Sequence, residues 1–522
     1  MRRSPSRLAW LAALAAAGAV AGTVAGCAAG PNYRTPRIAL PEHYDAAAQA
    51  SPGGAAEPAG GAAAIEVAAW WRALQDPELD SLIERAVSGN PDLLVALDRL
   101  QAARTFEAAV IGTVLPEAGA SAGAGRGTGS DLTRGRAANA LRSADDAAGL
   151  QHLNEIGGFD AVWELDIFGR YRREIEAARY DEQATRAARN AVLVAVVADV
   201  AEAYVELRGL QVRASVLASS IGVLRESLRI VKIRYERGIT NELDVTLATR
   251  ELATLEAQAA PLDAQVRAAG YTIATLLGLY PEDLVRELSP AGMVPAVPAL
   301  VDVGAPPELL RRRPDIRQAE RELAGATARI GIATADLFPQ LAVTGAIGFQ
   351  RQSLEGQPVI GEHIWSLGPA AVWPLLDFGA LDAQVEIANL ETRARLVRYK
   401  QTIQQAVREV DTSYGLFTAE QQSLAKLDTA LVASQRAVTL ANERYQRGVT
   451  DFLNVVDAER AEYALEEQYA GAQVALAESF IALYRSLGGG WENYQSLPPI
   501  HRPEPAIIAM FQRTLSRSNP LK

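Results

Sequence analysis

The chain has 522 residues, with 51 Lys and Arg against 62 Asp and Glu, for a formal charge of −11. Hydrophobic residues make up 49% and charged residues 22%, which excludes a disordered chain, and the acidic balance lacks the basic patch that nucleic acid requires. One cysteine and four scattered histidines (His43, His152, His363, His501) provide no disulfide framework and no metal or cofactor site.

Arg2, Arg3 and Arg7 precede an apolar run from Leu8 to Val24, which leads into Val24-Ala25-Gly26-Cys27. A basic start, a short apolar run and a small-residue cleavage site define a secretory signal peptide. The tetrapeptide resembles a bacterial lipobox, with Val24 where Leu is commoner. On that reading Cys27 becomes the acylated first residue, and Ala28 behind it suits the outer membrane; the other reading is a plain signal with Cys27 incidental. Acyl chains hold a bilayer through buried methylenes. Loop-like composition rich in Pro, Gly and Ala then runs to Gly61, and ordered sequence begins near Trp70-Trp71. The longest later apolar run free of Pro and Gly, Ala191 to Ala198, is far short of the ~20 residues a spanning helix needs. Any crossing must therefore be made by strands.

Two halves of the chain match. Arg234-Tyr235-Glu236-Arg237-Gly238-Ile239-Thr240 recurs as Arg444-Tyr445-Gln446-Arg447-Gly448-Val449-Thr450, an offset of 210 residues (444 − 234). The same offset pairs Trp163 with Trp373, Phe168-Gly169 with Phe378-Gly379, and Leu277-Gly278 with Leu487-Gly488. Earlier in each half the offset is 223 (314 − 91), pairing Pro91-Asp92 with Pro314-Asp315 and Leu115-Pro116 with Phe338-Pro339. The first half thus carries 13 extra residues (223 − 210) between Pro116 and Trp163. This is a tandem duplication.

Each half predicts the same elements. A helix opens at Pro91 or Pro314 and closes before Pro116 or Pro339. Period-two alternation follows: Ala118, Ala120, Ala122 and Ala124 in the first half, and Leu341, Val343, Gly345, Ile347 and Phe349 in the second. After a loop, Phe159, Ala161, Trp163 and Leu165 alternate, echoed by Leu367, Ala371, Trp373 and Leu375. The period then changes to three and four, from Val200 through Tyr204, Leu217 and Val231 to Tyr235, and again from Val410 through Phe417 and Leu431 to Tyr445. That spacing predicts a coiled-coil seam, on a helix running from about Tyr171 to Arg237 in the first half. Gly238 and Gly448 end these helices. A return helix follows in each half, with a kink or break expected at Pro261 and at its twin Gly471.

The fold class is therefore mainly α with a membrane β-barrel portion: four strands per chain plus long coiled-coil helices in a tandem repeat. Spanning strands must form a closed barrel, and about eight is the usual minimum. Two chains would supply eight strands and three would supply twelve, and arithmetic does not choose between them.

Cys27-Ala28-Ala29-Gly30-Pro31-Asn32-Tyr33-Arg34-Thr35-Pro36, Trp70-Trp71, Asp76-Pro77-Glu78-Leu79 and Asn90-Pro91-Asp92 resemble the opening of the TolC-like outer-membrane efflux lipoproteins of the NodT/OprM branch. The two Arg-Tyr-x-x-Gly turns are similar to that family's periplasmic helix tips. The resemblance spans essentially the whole mature chain. It divides the chain into a signal peptide (1–26), a lipidated extended segment (27–69), two efflux repeats (70–290 and 291–490) and an equatorial or disordered tail (491–522). It implies a homotrimer with a 12-stranded barrel in outer-membrane lipid and a 12-helix periplasmic tunnel. Its implied partners are a periplasmic adaptor (membrane fusion) protein and an inner-membrane pump of the resistance-nodulation-division type.

The resemblance also implies that the tunnel closes at the tips of the second repeat. Carried over, the periplasmic gate falls on Leu453, Asn454 and Asp457, which helical spacing places on one face. A ring of Asp457 carboxylates favours cations; the other reading of Asp457 is a solvated surface residue. Some relatives carry an acidic residue where Asn454 stands, so a second carboxylate ring is not assigned here. The helix tips (Tyr235, Arg237, Gly238, Thr240, Tyr445, Arg447, Gly448, Thr450) are helix stops, with adaptor contact implied through Tyr235, Arg237, Thr240, Arg447 and Thr450. Trp163, Trp365 and Trp373 near strand ends read equally as an interfacial belt or as barrel packing. Two alternatives stand beside an efflux conduit: a channel for type I protein secretion, and a lipid-anchored periplasmic coiled-coil scaffold without a pore. An enzyme is the weakest reading, since nothing shows nucleophile, base and orienter spacing and His152 and His363 fall in or beside expected loops.

Overall fold

The structure is a computed structural model that describes residues 28–46, 66–128, 151–299, 306–307, 312–354 and 360–495. The signal peptide, Cys27, and the tail beyond residue 495 lie outside the described residues. A short 3-10 segment (Val67–Leu74) leads into α1 (Pro77–Gly89) and α2 (Pro91–Gly112), then strands β1 (Glu117–Thr128) and β2 (Gln151–Leu165). Helices α3 (Arg170–Glu236), α4 (Glu242–Leu276) and α5 (Pro281–Leu288) complete the first half. The second half repeats the order with α6 (Pro314–Ala335), β3 (Gln340–Leu354), β4 (Ile360–Val372), α7 (Ala380–Gln446) and α8 (Phe452–Leu487).

The local signals act as physics requires. Pro91 and Pro314 occupy the first helical turn, where no N–H is needed, and the Asn90 side chain accepts from Leu93 N–H. At the sheet-to-helix junctions, Asp166 accepts the backbone N–H of Tyr171 and Arg172, and Asp377 accepts those of Gly379 and Leu381. Each long helix then runs for 67 residues, about 100 Å at ~1.5 Å per residue.

The four strands form one antiparallel sheet in sequence order. The first hairpin pairs Glu117 with Val162, and the second pairs Gln340 with Val372. These are twin positions under the offsets of 223 and 210, so the duplication preserves hairpin register residue for residue. Register also assigns faces. One face carries Ala120, Phe159, Ile347, Trp365 and Leu367, and Phe159, Ile347, Trp365 and Leu367 are all more than 60% exposed. The opposite face carries Ser121, Asp160, Thr344 and Ser366 among Gly and Ala, together with Val162, Glu164, Glu362 and Ile364. Trp163 and Trp373 play one role twice: each indole N–H donates to a carbonyl just past the preceding helix, of Val114 at 3.0 Å and Leu337 at 3.2 Å.

The main core girdles the middle of the long helices. Trp70 stacks on Tyr484 (5.8 Å between centroids), Phe480 lies against Trp70, Tyr484 and Phe417, and Trp491 at the head of the tail is buried beside them. No helix among the described residues is long and apolar enough to cross a membrane.

Three expectations are corrected. Of the kink or break expected at Pro261 and Gly471, the break is overturned: α4 and α8 run continuously through them. Both residues lie on exposed positions, where water can satisfy a freed carbonyl, while buried Leu255 and Leu262 hold α4 from the other side. Strand β4 stops at Val372, so Trp373 and Leu375 lie outside it; Pro374 between them has no N–H to offer a ladder. His363 sits within β4 rather than in a loop, while His152, the second residue of β2, lies at the strand's start beside one.

Candidate functional site

The end of the helical hairpins farthest from the sheet is built from two twin turns. Helix α3 ends with Ile239 N–H bonded to Arg234 O (2.9 Å) and Gly238 N–H to Tyr235 O (2.8 Å). Helix α7 ends identically, with Val449 to Arg444 (2.9 Å) and Gly448 to Tyr445 (3.0 Å). This is the Schellman pattern, which needs a left-handed residue; Gly238 (φ 69°) and Gly448 (φ 70°) supply it without a Cβ penalty. Asn241 then caps α4 by accepting Asp244 N–H, and Thr240 Oγ1 donates to the Asp244 carboxylate.

Sequence twins part company in their surroundings. Tyr235 is exposed, whereas Tyr445 is 7% exposed, with Arg234 over its ring at 4.5 Å and Phe452 against its edge at 5.3 Å. Tyr445, Phe452, Val455 and Val456 join Val231 and Ala248 in a small core that binds the second hairpin to the first. Arg237, Gly238, Arg447 and Gly448 are exposed, and Arg447 approaches Glu443 at 3.9 Å. Thr240 and Thr450 are half-buried; the Thr450 hydroxyl has no hydrogen-bond partner among the described residues.

Helix α8 has two opposed faces near the tip. Phe452, Val455, Val456 and Glu459 are buried against the chain's own hairpin, while Leu453, Asn454 and Asp457 are exposed on the other side. The structure thus brings the three expected gate residues onto one open face. The Asn454 amide bonds back to Asp451 O at 3.4 Å, in its own helix start.

A polar clasp that sequence reasoning did not find links the hairpins. Arg460 of α8 forms a forked ion pair with Glu251 of α4, Ser227 of α3 donates to Glu459 at 3.0 Å, Tyr463 donates to Gln258 at 3.0 Å, and Arg213 meets Glu467 at 2.8 Å. The Arg460 guanidinium holds Glu251 below the usual carboxylate range. Burial pushes Glu459 up, aided by the charges of Glu462 and Glu251. Glu459 and Glu251 have no carboxylate twins in the repeat (Thr249 and Ala461), so comparing the halves would have marked them as departures.

At the opposite end, the N-terminal segment is fixed to the β2–α3 junction. Ala29 N–H donates to Phe168 O at 2.9 Å, and Arg173 donates to the carbonyls of Ala29 and Gly30 and to Asn32 Oδ1. Tyr33 donates to Glu320 at 2.6 Å, and burial with that carboxylate drives its phenol pKa upward.

The family model "Outer membrane efflux protein" matches residues 82–279 and 305–489. Nodulation protein T of Rhizobium leguminosarum bv. trifolii is 29% identical over 463 residues, covering 88% of this chain and 94% of that protein. The toluene efflux pump outer membrane protein TtgF of Pseudomonas putida is 31% identical over 431 residues, covering 82% and 87%. Among solved structures, the outer-membrane channel OprN superposes with a TM-score of 0.77 at 36% identity, covering 89% of this chain and all (100%) of that one. The open state of the MtrE outer membrane channel of Neisseria gonorrhoeae superposes with a TM-score of 0.74 at 26% identity, covering 90% and 100%.

Proposed function

The chain belongs to the outer membrane efflux protein family and is an outer-membrane efflux channel extending into the periplasm, and on that premise we propose that three copies close one twelve-stranded barrel and a twelve-helix tunnel. The observation that carries this is that, among the described residues, four strands make one sheet with β1 and β4 as unpaired edges and one apolar, exposed face. Open edges are not tolerated in hydrocarbon, because each unpaired N–H and C=O there costs several kcal/mol. Four strands cannot close alone. The apolar face then meets lipid, and the face with Asp160, Ser121, Thr344 and Ser366 lines the bore.

The channel is a passive conduit; its relatives are channels rather than enzymes. A periplasmic adaptor and an inner-membrane pump of the resistance-nodulation-division type supply energy and most of the selection. The cargo class is small molecules: drugs, toxic compounds such as solvents, or metal ions, the first two in line with a relative named for toluene efflux and another for pyoverdine export. Cys27, which lies outside the described residues, is the acylated residue; the lipobox-like Val24-Ala25-Gly26-Cys27 supports this reading. Leu453, Asn454 and Asp457 form the periplasmic gate, with Arg447 reaching a neighbouring copy; Tyr235, Arg237 and the two glycine turns offer the adaptor its exposed surface. Thr240, also held to Asp244, joins them in that contact together with Arg447 and Thr450.

The test is direct. The full chain, purified and added to planar bilayers, is expected to give cation-preferring conductance and to run as a heat-resistant trimer on gels. A monomer with no conductance would rule out the pore and favour the scaffold.

A further inference from the structure

Resting on the outer-membrane reading above, we propose that the crevice between α6 and α7, beneath the membrane's periplasmic face, holds an anionic phospholipid by its phosphate. The crevice beside it, between α3 and α6, is filled by the N-terminal segment. Tyr33 donates to Glu320 of α6 at 2.6 Å and packs edge-on against Tyr180 of α3 at 5.9 Å, and a Cβ on Gly30 would strike the Gly331 backbone at 2.5 Å. Tyr33 and Thr35 both donate to Glu320, as alternate residues of a stretched chain do. Arg34 and Pro36 line the crevice on the other side of α6. The segment that seals one crevice is thus a wall of the next, an open groove of about 530 Å³.

The groove has the two-part lining that an amphipathic anion needs. Its floor is apolar: Leu323 and Ile330 of α6 are 4% and 8% exposed, and Leu396 of α7 is half-buried beside them. Its rim carries the guanidinium groups of Arg34 and Arg393, and among the described residues neither has a hydrogen bond or an ion pair. Arginines around it are paired: Arg321 with Glu320, Arg329 with Asp181, Arg395 with Glu322. Two free guanidinium groups at one groove, in a chain of charge −11, mark a place for an anion, and their planar forks match phosphate oxygens. The floor and the position select a lipid over a free anion. Glu386 is six residues into α7 (386 − 380), about 9 Å below the sheet-to-helix corner, and Arg393 is thirteen (393 − 380), about 20 Å below it. Helical side chains tilt toward the N-terminus, here the membrane end, so Arg393 leans back up the groove. The phosphate sits between Arg34 and Arg393, and an acyl chain runs up over Ile330 toward the bilayer. Glu386, on the same rim and paired with neither arginine, accepts a hydroxyl of a glycerol headgroup.

The purified full chain in neutral detergent, offered phosphatidylglycerol or phosphatidylcholine, can be weighed intact by native mass spectrometry. It is expected to retain phosphatidylglycerol on the order of tenfold more than phosphatidylcholine, and the double variant Arg34→Gln, Arg393→Gln to lose that preference. Arg37→Gln, on the same segment but outside the groove, is the control and should keep it. Equal loss in Arg37→Gln would reveal general surface charge and overturn the site. An unchanged preference in the double variant would overturn it too, as would complete displacement by millimolar inorganic phosphate, the mark of a free-anion site. Trimers that conduct but show no preference between the two lipids would overturn this inference alone. A monomer that never conducts would overturn the channel reading on which it rests.

Discussion

Asp457 illustrates how much one side chain depends on its turn of helix. It is exposed, but two residues on, Glu459 is buried on the opposite side of α8. Copies of Asp457 converging on an axis would attract cations into a low-dielectric constriction and hold solvent there. Replacing it (Asp457→Ala) is expected to raise single-channel conductance or weaken cation preference in planar bilayers; no change in either would remove it from the gate. Sequence spacing was enough to put Leu453, Asn454 and Asp457 on one face. It was not enough to separate Tyr235 from Tyr445, whose local sequences are alike. Tyr445 is buried because α8 packs on α3 beneath it, and that contact lies over 200 residues away along the chain (445 − 231) from Val231. Local pattern carries no information at that distance.

Among the elements, the return helices show how tertiary contact overrides propensity. A proline inside a helix costs about 3 kcal/mol in isolation, yet α4 is continuous through Pro261. The penalty remains in the total even though it does not break the helix. Pro261→Ala is therefore expected to stabilise the first hairpin, seen as a higher midpoint when helical circular dichroism is followed against denaturant. An unchanged or lower midpoint would mean that the helix gains nothing from the restored N–H.

The clasp between hairpins responds to acidity in two directions. Glu459 is raised above its ordinary value, so its contribution is fully present below that value and is lost as pH rises through the shifted one. Glu251 is lowered, so its ion pair with Arg460 contributes above the ordinary value and is lost as pH falls through the shifted one. Mild acidification from neutral should draw the tips together, and only stronger acid should loosen them. Spin labels at Arg237→Cys and Arg447→Cys would read this as a distance distribution that narrows toward shorter values. Glu459→Gln should flatten the response in the mild range; an unaltered pH profile would show that Glu459 does not set it.

At the scale of the whole molecule, strand number and the doubled hairpins were legible, because two offsets recur in residues whose types are fixed by geometry: prolines at helix starts, glycines past helix ends, tryptophans at strand ends; the strand register was not read from them. The aromatic girdle around Trp70 and Tyr484 was not, since it gathers residues from opposite ends of the chain. The end of β4 was misjudged because its apolar alternation continues past Val372 although Pro374 ends the pairing. The halves remain twins where they face each other in the sheet, and they diverge at the hairpin tips. The N-terminal segment has no such twin. Its Ala29 is hydrogen-bonded at the sheet-to-helix corner, and a Cβ on Gly30 would come within 2.5 Å of the Gly331 backbone. The segment from Ala28 onward is thus stitched to the corner at its very first turn, so a pull applied ahead of it would reach the foot of α3 directly and take up no slack on the way.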